Sequence, residues 1–151
     1  MQPTNPNIEQ SYRTITVIWL GLLVSQFMFL IVLFFTRREI FSFDFTKPLL
    51  NNENSMLVIV LAATGILTFL MSFVLRAKFI KQAIDLQKTA LVQTAMVIGC
   101  ALCEATTLFG LVLAFAFGYQ YFFLWFALGI LGIILHFPKR ENLIAASYRK
   151  K

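Results

Sequence analysis

The chain has 151 residues, of which 59% are hydrophobic and 13% charged, and its 13 Lys and Arg against 7 Asp and Glu give a formal charge of +6; the mean hydropathy is +0.78. Soluble domains are about one quarter charged, so this balance excludes an ordinary soluble domain and points to a membrane protein. Nucleic-acid binding is excluded as well, because the basic residues flank apolar runs and have no recognition fold behind them.

The expected fold is all-α, an integral membrane four-helix bundle forming a single membrane domain over 1–151. Each crossing of a hydrocarbon core ~30 Å thick takes roughly 20 residues, and four runs qualify: 15–36, 56–75, 90–117 and 119–137. The first two are uncharged, the third carries only Glu104, and the fourth carries only His136 near its end. Backbone amides in lipid must be satisfied within their own segment, and the runs are too uniformly apolar for barrel strands. The first run is longer than a signal-peptide core and no small-x-small cleavage pattern precedes Arg37 and Arg38, so it reads as a retained anchor.

After the first span, "FSFDFTKP" alternates Phe41, Phe43 and Phe45 with polar residues, and the rings are expected in the headgroup zone. Ser55 is the expected N-cap of the second span. The stretch 76–88, with Arg76, Lys78, Lys81 and Lys88, reads as a basic loop. Only "GYQ" separates the third and fourth spans, which makes those helices antiparallel neighbours, and "YQYFFLWF" reads as an aromatic belt. The segment 138–151 is expected to be a basic cytoplasmic tail lying along the membrane as an interfacial helix. Arg13, the loop 76–88 and the tail share one side, against Arg37, Arg38 and Lys47 mixed with Glu39, Asp44 and Glu53 on the other. The excess of Lys and Arg places both termini in the cytoplasm. The expected location is the cytoplasmic (inner) membrane of a bacterium.

Glu104 is the residue that needs a reason. A charged side chain near mid-membrane costs on the order of 3 kcal/mol on insertion scales, and desolvation favours the neutral form of a carboxyl. Such a group either takes up and releases a proton or holds helices together as a neutral hydrogen-bonder. Gln93, Cys100, Glu104 and Thr107 share roughly one side of the third span. Thr64, Thr68 and Ser72 are stacked on the second, where Ala62, Ala63 and Gly65 permit close approach, and Ser25 and Gln26 lie on the first. Thr64 or Thr68 is expected to reach the Glu104 carboxyl. The candidate ion-binding set is Glu104, Thr107, Thr64, Thr68 and Gln26.

The stretch "TAMVIGCALCEATTLFGLVLAF", preceded by "RAKFIKQAIDLQKTAL", resembles the second helix of the proteolipid c subunit of rotary ATP synthases, with its G-x-A-L-x-E-A pattern followed by G-L-V-x-A. The matching residues are Gly99, Ala101, Leu102, Glu104, Ala105, Gly110, Leu111, Val112 and Ala114. The resemblance covers about residues 76–116, and the whole chain is not a standard member of that family. It implies that Glu104 stands where the family has its carboxylate for H+ or Na+.

Other chemistry is sparse. Cys100 and Cys103 form a C-x-x-C at membrane depth, where thiols behave as small hydrophobes. His136 is the single histidine, expected to hydrogen-bond at the interface, and Gly129 and Gly132 mark a helix-packing face. No nucleophile with a base, phosphate-binding loop or carboxylate pair is present. No enzyme activity and no cofactor are therefore expected. The partners expected are the lipid bilayer together with other membrane subunits or further copies of the chain. Two functions remain open: binding or relay of H+, less readily Na+, at Glu104 within a larger complex, or a structural accessory role without ion transport.

Overall fold

The computed structural model describes residues 6–42, 48, 50 and 55–147. All regular structure among them is helical: α1 (Pro6–Thr36), a short 3-10 turn (Arg38–Phe41), α2 (Ser55–Leu86), α3 (Thr89–Phe117), α4 (Phe122–Leu135) and α5 (Arg140–Ser147). Three of these helices, α1, α2 and α3, are long and apolar enough to cross a membrane, and α4 with α5 forms a pair bent by 46°. With 14 residues, α4 is about 21 Å long and falls short of the hydrocarbon core by itself.

The helices run alternately up and down. One core cluster joins Ile15 of α1, Ala83 of α2, Val92 and Met96 of α3, Ile133 of α4 and Leu143 of α5. At the other end Leu33, Ile40, Ala114, Phe122 and Phe126 meet. Helix α3 lies at the centre: 44% of its most apolar window is buried, against 11% for α1 and 17% for α2.

The stretch 76–88 is a helix for most of its length and not a loop. It contains no Gly or Pro, its Ala, Lys, Gln and Leu are good helix formers, and α2 continues to Leu86. The chain then reverses through a Schellman motif: Lys88 N donates to Ala83 O at 3.0 Å and Gln87 N to Ile84 O at 3.3 Å. Gln87 occupies the left-handed position, with φ 53°, where glycine is the usual residue. The turn after α3 uses Gly118, φ 59°.

Small residues let α4 press into α3. A Cβ added at Gly110 would overlap Trp125, one at Gly129 would overlap Thr107 Oγ1 and lie 2.9 Å from the Cys103 backbone oxygen, and one at Gly132 would meet Cys103 Sγ and Phe69. Gly99 opposes the His136 ring in the same way. Trp125 also reaches α2, since a Cβ at Gly65 would stand 2.9 Å from its ring. The expected packing role of Gly129 and Gly132 is therefore seen. The expected aromatic belt is in part core instead, because Phe122 and Phe126 are buried and Trp125 is wedged between α2 and α3.

Two guanidinium groups close helix C-termini, where cations meet unpaired carbonyls. Arg37 donates to Phe115 O of α3 at 3.1 Å. Arg76 donates to Leu135 O at 3.2 Å and Phe137 O at 3.0 Å past the end of α4, and Trp19 Nε1 donates to Ile133 O at 2.7 Å.

Phe41 packs edge-on to Phe34 and Phe122, while Phe43, Phe45 and Lys47 lie outside the described residues. The described part of the tail is docked on the bundle: Leu143 and Ala146 of α5 are buried, and Arg140 pairs with Glu9 of α1 at 3.1 Å. Residues 148–151 lie outside the described residues.

Gly129→Ala is expected to destabilise the bundle by ~1–3 kcal/mol through overpacking, whereas Gly21→Ala, whose added methyl meets nothing within 4 Å, is expected to be neutral or stabilising by up to ~1 kcal/mol; unfolding in detergent followed by circular dichroism checks both. By the same measurement Gln87→Gly is expected to stabilise by about 1 kcal/mol, since it relieves a left-handed non-glycine residue.

Candidate functional site at Glu104

Glu104 is half-buried on the side of α3 that faces α1. Its Oε1 lies 2.7 Å from Ser25 Oγ. The same Ser25 oxygen lies 2.8 Å from the Leu22 carbonyl one turn back. Gln26 Nε2 makes a longer contact of 3.5 Å with it. Gln26 is fully buried, and its Oε1 is sealed without a hydrogen-bond partner.

Proton counting constrains this cluster. A serine hydroxyl has one hydrogen and two lone pairs. When the Ser25 hydrogen points at Glu104, the Leu22 carbonyl receives nothing from it. Unless that one hydrogen is shared between the two acceptors, as the Thr68 hydrogen is between Thr64 O and Gly65 O, both short contacts are hydrogen bonds at once only when Glu104 carries a proton and donates it to Ser25, which then donates to Leu22. In that arrangement the second lone pair of Ser25 is left for Gln26 Nε2.

The threonines of the expected set lie elsewhere. Helical geometry turns the chain by about 100° per residue, so Thr106, two positions after Glu104, points to the opposite side of α3. There its hydroxyl lies 3.2 Å from Gly65 O of α2 and 3.1 Å from Leu102 O of its own helix, one hydrogen serving both, and its oxygen lies 3.4 Å from Thr68 Oγ1. Thr68 also donates to Thr64 O at 2.7 Å, and Thr64 donates to Val60 O at 2.8 Å. Both follow the back-bonding habit of hydroxyls in apolar helices. Thr107 is buried beneath Gly129 of α4 and contacts its own Cys103 carbonyl at 3.5 Å. Of the expected set, Glu104 and Gln26 are drawn together, with Ser25 between them, while Thr64, Thr68 and Thr107 serve other helix contacts.

The remaining polar groups belong to the packing. Cys100 and Cys103 are free and buried, and Cys103 Sγ donates to Ser72 Oγ at 3.5 Å. His136, expected at the interface, is fully buried. Its Nδ1 lies 2.8 Å from Gly132 O, its ring centroid is 4.6 Å from that of Phe73, and its Nε2 lies against Gly99 without a hydrogen-bond partner among the described residues.

Sequence reasoning names Ser25 beside Gln26 on the first span but leaves it out of the candidate set, although a depth signal was present. The centre of the run 15–36 falls between Ser25 and Gln26, and that of 90–117 falls between Cys103 and Glu104. Runs that start at the same membrane face bring their centres to the same depth.

Comparison with known proteins finds no matching family model, no matching curated protein and no matching solved structure.

Ser25→Ala removes the group between Glu104 and Leu22 and is expected to destabilise by about 1 kcal/mol, within the range for hydrogen bonds between membrane helices. Glu104→Gln, whose amide nitrogen can still donate to Ser25, is expected to stay within about 0.5 kcal/mol of the parent chain. Reversible unfolding in mixed micelles measures both.

Proposed function

We propose that this chain is a small integral membrane subunit, similar in this respect to the rotary c subunit, in which Glu104 takes up and releases a proton while acting within a larger membrane complex. The reading has four crossings, the bent α4–α5 pair contributing the fourth, with both termini on the cytoplasmic side of the inner membrane. The charge distribution supports this orientation. Arg13, Arg76, Lys78, Lys81, Lys88, Lys139 and Arg140 gather at one end with Glu9, Asp85 and Glu141, whereas the described part of the other end has Arg37, Arg38 and Glu39.

The observation that carries the proposal is the single Ser25 hydrogen set between two acceptors, because a proton on Glu104 gives each contact a hydrogen of its own and its loss leaves one hydrogen to serve both. A site of this kind has two hydrogen-bonding states separated by one proton. A proton fits better than Na+, since among the described residues Glu104, Ser25 and Gln26 are the only oxygen-bearing side chains drawn together there. Glu104 is the one acid within the four apolar runs, so a complete pathway needs a partner that brings water or a charged group to it.

A structural accessory role is the second reading, favoured by one specific feature: the Ser25–Glu104 contact links α1 to α3. A permanently protonated Glu104 serves that link equally well.

Labelling of Glu104 by a hydrophobic carbodiimide in native membranes separates the two, with Glu104→Gln as the blank. Proton handling predicts rapid labelling that declines as pH rises through a titration and is unaffected by Na+. Labelling blocked by Na+ overturns the choice of ion. Absence of labelling at every pH at which the protein stays folded overturns proton handling in favour of the accessory role.

A further inference from the structure

At the basic end a narrow cleft with a cavity volume of about 10 Å3, room for one water-sized group such as a single phosphate oxygen, opens between α1, α2, α3 and the α4–α5 junction. Its mouth carries Arg76, Lys139 and Asn142, and its floor includes Ile15, Met96 and Leu143. No acid lines it. Among the described residues, neither Arg76 nor Lys139 has a carboxylate partner, the ion pairs being those of Arg13, Arg37 and Arg140.

Arg76 is half-buried and uses two of its five N–H donors on Leu135 O and Phe137 O. A guanidinium held in place by helix carbonyls, with donors to spare and no counter-ion, is a preformed anion site. Asn142 adds an amide, and Lys139 precedes the first turn of α5, whose unpaired N–H groups favour negative charge.

We infer that this cleft binds the phosphate of an anionic phospholipid. The chemistry recognised is a phosphate oxygen set between Arg76, Lys139 and Asn142. The lipid source follows from where the cleft lies. The apolar runs of α1, α2 and α4 end at this level, at Ile15, Leu75 and Phe137, so a phosphate held at the cleft mouth sits at the border of the apolar surface, where its glycerol-linked chains enter the hydrocarbon. The inference rests on the membrane placement proposed above and not on any role of Glu104.

The test uses the full chain purified in an uncharged detergent and mixed with micelles carrying phosphatidylglycerol or phosphatidylcholine, bound lipid being counted by native mass spectrometry. Phosphatidylglycerol is expected to be retained in preference to phosphatidylcholine. Lys139→Gln, at an exposed position, is expected to weaken that retention about fivefold, the effect of one basic residue at an anionic surface, and Asn142→Leu to weaken it further. Lys81→Gln, an exposed charge at the same end but outside the cleft, is expected to leave it unchanged.

Equal losses for Lys139→Gln and Lys81→Gln overturn the site in favour of diffuse charge attraction. Displacement of the lipid by inorganic phosphate at matched ionic strength, with no preference between the two lipids, overturns the lipid source. Carbodiimide labelling of Glu104 unchanged in Lys139→Gln keeps this outcome separate from that of the proton-binding proposal.

Discussion

Helices immersed in hydrocarbon gain nothing by hiding apolar side chains from one another, since lipid tails are as apolar as leucine. What holds this bundle is the closeness with which α3 and α4 approach, and that depends on having no side chain where the backbones meet. Gly110, Gly129, Gly132 and Gly99 each face a group that a Cβ would strike. Trp125 exploits two such openings at once, filling the notch at Gly110 of α3 and the one at Gly65 of α2. Three helices are thereby locked to one indole.

That lock decides where the acid can look. With α4 on the Thr107 side of α3 and α2 on the Thr106 side, the remaining approach to Glu104 belongs to α1, which supplies Ser25. The carboxyl is left half-buried, at the edge of the bundle instead of in its middle. A neutral anchor would be well served by full enclosure. On the proposed proton-handling reading, a group that exchanges protons needs a path to them, which at the rim a neighbouring molecule would complete.

The sequence shows depth better than direction. Apolar run lengths locate the crossings, and run centres place Ser25, Gln26 and Glu104 at one level. They say little about rotation about the helix axis, which packing sets. Thr64 and Thr68 matched Glu104 in depth but faced away from it, because α2 lies against Thr106. The basic stretch 76–88 misled for another reason. Polarity marks where lipid ends, and a helix ends only where its backbone is interrupted, here at Gln87. The capping roles of Arg76 and Trp19 were illegible because their acceptors are backbone carbonyls, which every residue has.

Helix α5 docks across the ends of α1, α2 and α3, and Arg140 reaches back to Glu9. The chain's last described element thus touches its first. During synthesis, α1, α2 and α3 are made before Trp125 or Arg140. Until then the gaps beside Gly65 and Gly110 have no indole to fill them, and Glu9 has no Arg140. Closure therefore awaits α4 and α5, and the ribosome's direction of travel becomes a checkpoint: a chain cut short before α4 has three long apolar helices but no keystone.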